Sequence, residues 1–103
     1  MHARIYPTTL TRHPDDVNPN SALDGVAKFP NQYLERNNDL GAFRSGVSLQ
    51  SCAAHCRVTV GCKSFDAGLA DTISEGACFL SSLNRQNTGA VMKSSANFGF
   101  YEI

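Results

Sequence analysis

The sequence predicts an α+β domain in which an antiparallel β-sheet is covered on one face by a single helix and stapled by two disulfides. Three observations predict it. A chain of 103 residues, 42% hydrophobic and 17% charged, suffices for one small domain and not for two. One helical period occurs, and the strand-like runs after it are joined by loops too short for crossover helices, which leaves antiparallel pairing. Four cysteines fall on the helix and the runs that follow it, in a chain whose small core gains from covalent staples.

Residues 1–31 hold all four prolines, Pro7, Pro14, Pro19 and Pro30, among polar residues such as Thr8, Thr9, Thr11, Asp15, Asp16, Asn18 and Asn20. Proline removes backbone donors and fixes φ, so this segment reads as an irregular N-terminal arm and a candidate for docking on a partner or on a second copy of the chain. The domain proper is read as residues 32–103. Gln32 to Glu35 and Gly41 to Ser45 suggest short strands about the polar turn Arg36-Asn37-Asn38-Asp39.

Ser48 is a helix cap, and Leu49, Cys52, Ala53 and Cys56 recur at intervals of three and four, which predicts a helix over residues 48–58 with these side chains on one face. The β-branched run Val58-Thr59-Val60 and then Gly61 stop it. Strand-like runs follow at residues 62–66, 77–81 and 98–103, with Ala90-Val91-Met92 a further short one and loops at 68–76 and 84–89.

Cysteine spacing is C-x3-C-x5-C-x15-C. Cys52 and Cys56 lie one turn apart and face the sheet, so bridges to Cys78 and Cys62 tie the helix down. We pair Cys52 with Cys78 and Cys56 with Cys62, although four cysteines allow three connectivities and the sequence alone does not choose. Zinc is the competing use of these thiols. Cys52 and Cys56 have the spacing of a ligand pair, but Cys62 and Cys78 are too far apart to form a second, and His55 projects away from Cys56 towards solvent. No metal and no cofactor is expected.

The run Ser48-Leu49-Gln50-Ser51-Cys52-Ala53-Ala54-His55-Cys56, followed by Gly61-Cys62-Lys63-Ser64-Phe65-Asp66, Cys78-Phe79-Leu80 and Phe100-Tyr101-Glu102, resembles the PAN/apple domain family. Asn38-Asp39-Leu40 resembles the family's first strand region. The resemblance covers roughly residues 32–103, and its specificity lies in the cysteine helix and the Cys-Lys-Ser-Phe strand together. It implies a curved antiparallel sheet cradling the helix, the disulfide pairing given above, an extracellular setting, and binding of carbohydrate or protein without catalysis. The chain is similar to the four-cysteine form, since the cysteines of the third bridge that joins the termini in apple domains proper are missing. The arm has no counterpart in the family pattern.

An enzyme is not expected. His2, His13 and His55 form no nucleophile or acid–base set, and no phosphate loop, His-Glu-x-x-His helix or Gly-x-Ser-x-Gly elbow occurs. Asp15-Asp16 and Glu35 with Asp39 lack the periodicity of a calcium loop and read as solvated turns. Lys63, Asn84, Arg85 and Tyr101 are the candidate ligand-binding residues, because planar polar side chains and an aromatic ring serve carbohydrate recognition. Phe65, Phe79, Phe98 and Phe100 read as core. With nine basic and nine acidic residues the net charge is zero, which leaves no source for the phosphate attraction behind nucleic-acid binding.

No run approaches the roughly twenty apolar residues of a membrane span. The N-terminus lacks the apolar core of a signal peptide, so secretion presumes an export signal removed or omitted. There is no Asn-x-Ser/Thr sequon, while the threonines beside Pro7 suit O-linked sugars. Partners are then a glycan or an extracellular protein, bound at the cell surface or after secretion. The alternative is a structural subunit of an extracellular filament or oligomer, held to its neighbour by the arm, as a near-neutral chain lacks self-repulsion.

Overall fold

A computed structural model describes residues 21–35 and 38–103. The elements in chain order are β1 (Ala27–Leu34), β2 (Gly41–Phe43), α1 (Leu49–Val58), β3 (Ser64–Gly68), β4 (Cys78–Ser81) and β5 (Met92–Glu102). All strand pairs are antiparallel, in the order β1-β5-β3-β4-β2, so β3 is central and β1 and β2 are the edges. Among the described residues the α+β class, with one helix against an antiparallel sheet, is as the sequence predicts.

Helix α1 begins where the cap requires. Ser48 is extended (φ −70°, ψ 163°) and its hydroxyl accepts the Ser51 N–H at 3.1 Å, satisfying one donor that the first turn leaves without a partner. It ends at Thr59, whose own N–H turns back to the Cys56 carbonyl at 3.2 Å. The 3–4 spacing buries Cys52, Ala53, Ala54, Cys56 and Val58. Small side chains at 53 and 54 let the helix approach β3 and β4 closely.

Because β-strand side chains alternate, Phe65 and Ala67 of β3, Cys78 and Leu80 of β4, and Tyr101 of β5 share the face that meets α1 and form the core with it. Phe65 and Tyr101 are register partners whose rings stack at 5.0 Å, nearly parallel at 8°. Cys52–Cys78 joins the helix to β4 and Cys56–Cys62 joins it to the segment before β3, with Cα separations of 5.6 and 5.3 Å. No cysteine is free, and the two bridges are the pair chosen among the three possible connectivities.

Several boundaries move. The irregular arm was to run to residue 31, yet residues 21–25 form a turn and residues 27–31 belong to β1. Pro30 is accommodated because β1 is an edge strand, and Asn31, at φ 61°, sits where the register with β5 shifts. Met92 of the run at 90–92 and residues 98–102 of the last run belong to one strand, β5, paired with β1 at 92–94 and 99–102 and with β3 at 98–102. Cys62 precedes β3 instead of opening it, and β2 stops at Phe43. The rest of the proposed arm, residues 1–20, with His2, His13, Asp15-Asp16, the O-glycan threonines and any self-association surface there, lies outside the described residues.

The turn at 21–25 is fixed from the helix. Arg57 donates through Nε to the Ala22 carbonyl at 2.6 Å and through its terminal nitrogen to the Asp24 carbonyl, while Ala22 is fully buried in the core. Among the described residues no helix is long and apolar enough to cross a membrane.

Candidate functional site

An open groove of about 510 Å³ lies where the N-terminus of α1, the loop between β3 and β4, and the end of β5 converge. Lys28 of β1, Ser48, Leu49, Glu75 and Tyr101 line it, and it continues past Leu23 and Val26 into a further depression of about 220 Å³. Its wall depends on two backbones meeting. The loop residue Gly76, at φ 87°, accepts the Val47 N–H at 2.9 Å, and a Cβ on it would fall 2.8 Å from the Gly46 nitrogen. The floor depends on Gly99, because the Tyr101 ring lies over that residue, 3.0 Å from where a Cβ would stand.

Tyr101 is 3% exposed. Its ring is held by Phe65, and its hydroxyl takes no hydrogen bond among the described residues while the side chain borders both parts of the groove. Burial pushes its pKa up, so the group stays a neutral hydroxyl, able to donate and to accept. Glu75 supplies a carboxylate that accepts the Asp71 N–H at 3.4 Å, and Lys28 supplies an ammonium on the other side. Hydroxyls, one carboxylate and one ammonium over an apolar lining make a surface that can both donate and accept hydrogen bonds.

The candidates chosen from the sequence do not converge. Tyr101 is in the groove. Arg85 is on the opposite face of the sheet, its guanidinium carbon 3.6 Å from the centre of the Phe29 ring and its Nε 3.3 Å from Glu102 Oε2. Asn84 is engaged within its own loop, accepting the Gln86 N–H at 3.0 Å on its side chain while its backbone N–H bonds Asn87. Lys63 precedes β3 and is exposed, its backbone bonded to Ser81 and Ile103. His55 does not point free into solvent: it is half-buried and packs on the Phe43 ring at 5.0 Å.

Lys28, Ser48 and Glu75 were missed as groove residues, since each stands on a different element and no sequence spacing links them. Glu35 is paired with Lys93 at 3.4 Å. Partial burial raises the Asp39 pKa, but hydrogen bonds from the Ser82 hydroxyl and N–H outweigh it, so the carboxyl sits below its ordinary value. Both acids therefore serve the sheet ends. Phe65 and Phe100 are buried as read, whereas Phe79 and Phe98 are only half-buried and belong to the face away from α1.

No family model matches the chain, and no curated protein matches it in sequence.

Proposed function

We propose that this domain is a non-catalytic extracellular recognition module of the PAN/apple type, and that it binds a neutral carbohydrate in the groove over Tyr101. One observation carries the reading: a tyrosine hydroxyl at the floor of an open groove, its ring immobilised by Phe65, with no hydrogen-bond partner among the described residues. A sugar hydroxyl is of the right chemistry to satisfy it, with Glu75, Ser48 and Lys28 as further partners. Lys28 and Glu75 balance in charge, which disfavours a strongly anionic glycan. Two disulfides in so small a domain suit an oxidising compartment, and this supports the extracellular setting.

Glycan-array screening, followed by titration of hits against the wild type and Tyr101→Phe, tests it. Tyr101→Phe keeps the ring stack and should weaken binding at least about fivefold, the worth of roughly one hydrogen bond. Absence of any neutral glycan ligand, or equal affinity of the two proteins, would remove the groove from the proposal and leave a protein ligand as the family-based expectation.

A second reading, the structural subunit, is favoured by the outer edge of β1, which pairs with no strand among the described residues, and by the exposed Phe43 on the edge strand β2. Light scattering on the full chain and on a chain beginning at Ser21 separates the two. Assembly that dissolves on removing residues 1–20 supports the subunit, and a monomer at high concentration excludes it.

A further inference from the structure

The face of the sheet away from α1 carries a second, smaller cavity of about 170 Å³, lined by Tyr33, Leu34, Asn38, Asp66, Phe79 and Phe98. Three of the six are aromatic. Phe98 stands between the others, 6.0 Å from Tyr33 and 5.8 Å from Phe79 by ring centroids. Asp66, on the central strand β3, is 4% exposed. Its Oδ1 accepts the Leu34 N–H at 3.0 Å, and the carboxyl also borders the cavity. Among the described residues that line the cavity there is no Lys, Arg or His.

Desolvating a carboxyl on the central strand is costly, and one backbone hydrogen bond offsets part of that cost. The other end of the same face has the same chemistry completed from within the chain. There Arg85 lies 3.6 Å over the Phe29 ring, itself packed on Phe100, and meets the Glu102 carboxylate at 3.3 Å. Aromatic faces carry negative charge density that attracts a cation, and a carboxylate beside them supplies the counter-charge. We infer that the Asp66 cavity is a binding site for an alkylammonium group, held between the Asp66 carboxylate and the rings of Tyr33, Phe79 and Phe98. A lysine side chain of a partner protein and a small quaternary amine share this chemistry. The volume limits the ligand to the cationic head and its nearest carbons.

The groups facing Asp66 from the packed elements are Tyr33 and Leu34 of β1, Phe79 of β4, Phe98 and Phe100 of β5, and Asn38. Tyr33 is the one other titratable group among them, so the ionisation that matters is that of Asp66. Burial pushes that carboxyl up to about 7, against the Leu34 hydrogen bond, and at pH 8 it is charged.

The test is an amide and aromatic NMR titration of the full chain at pH 8 with choline, with n-butylammonium, and with 3,3-dimethyl-1-butanol, the uncharged counterpart of choline. The expected result is saturable shifts of the Leu34 N–H and the Phe98 ring protons with at least one cation, and at least tenfold weaker binding of the alcohol. Asp66→Asn, which retains an acceptor for Leu34, should lose the cation response. The tighter cation assigns the source, choline to a methylated amine and n-butylammonium to a lysine-like group. Binding of the alcohol as strong as that of the cations, or no Leu34 shift with either cation, overturns the site. The comparison of cation with alcohol is made on the wild type, so it decides even where the variant fails to fold.

Discussion

At the scale of single residues, Asp66 makes the sharpest demand on the molecule. It occupies the middle of a buried strand, paired with Phe100 on one side and Phe79 on the other. Burial pushes its pKa from 3.8 up to about 7, the Leu34 hydrogen bond opposing the rise. The folded state therefore holds this proton more tightly than the unfolded chain does. Stability from this group is fully present below about pH 4, is lost as pH rises through about 7, and stays lost above, with a total of up to roughly 4 kcal/mol. Asp39, shifted the other way, acts in a separate window, losing its contribution only as pH falls below the ordinary carboxylate range. Asp66→Asn keeps an oxygen for the Leu34 N–H and has no charge to desolvate. Urea denaturation at several pH values should show wild-type stability falling between pH 4 and 8 and the variant flat over that window and more stable at pH 8. An unchanged slope in the variant would assign the pH dependence elsewhere.

At the scale of elements, the two disulfides are unequal. Cys52–Cys78 closes a loop spanning β3 and all that lies between helix and β4, whereas Cys56–Cys62 closes a single turn beyond the helix end. Loop-closure entropy assigns them roughly 3.5 and 2 kcal/mol respectively. Replacing both members of the first pair with Ala should therefore lower the urea midpoint more than replacing both members of the second, and reducing both bonds should unfold much of the population at body temperature. Equal losses would mean that packing of the sulfur atoms, all but Cys62 fully buried, outweighs chain entropy.

The same elements show what a sequence can reveal. Helix α1 was legible because a cap, a 3–4 repeat and a glycine stop are local; its geometry turns two thiols to the sheet, but the choice among three connectivities is made only in the structure. Strand β1 was half hidden, since Pro30 reads as a breaker unless it is known to lie on an edge. Strand β5 was read as two pieces, because the polar run Lys93-Ser94-Ser95-Ala96-Asn97 between them has no apolar alternation. Gly99, read within the second piece, is where Tyr101 lies down, and a strand paired on both sides there tolerates it. The groove was not legible at all beyond Tyr101, because Lys28, Ser48 and Glu75 come from segments brought together only by the strand order. Asp66 left one trace: a lone acid in the apolar run Ser-Phe-Asp-Ala-Gly.

At the scale of the whole molecule, the sheet separates two chemistries. One face carries the disulfide-bonded core and the groove beside the helix; the other carries Phe29, Phe79, Phe98 and Phe100, with Arg85 seated at one end and the Asp66 cavity towards the other. A domain this size buries a modest fraction of its surface, so peripheral segments that complete the core weigh heavily. The turn at 21–25 is such a segment: Ala22 is fully buried and its carbonyl, with that of Asp24, satisfies Arg57. Leu23 and Val26 also pack against the core beside the groove. A chain beginning at Ser21 keeps every described residue and is the reference for the next cut. A chain beginning at Ala27 loses two acceptors for a charged donor and a core residue, and should be destabilised by roughly 2 to 4 kcal/mol. Arg57→Met in the full chain should reproduce part of that loss by freeing the turn while keeping an apolar stem against the helix. Thermal melts of the three chains check this. Equal midpoints for the chains beginning at 21 and 27 would show that the turn contributes nothing, and the domain would then start at β1.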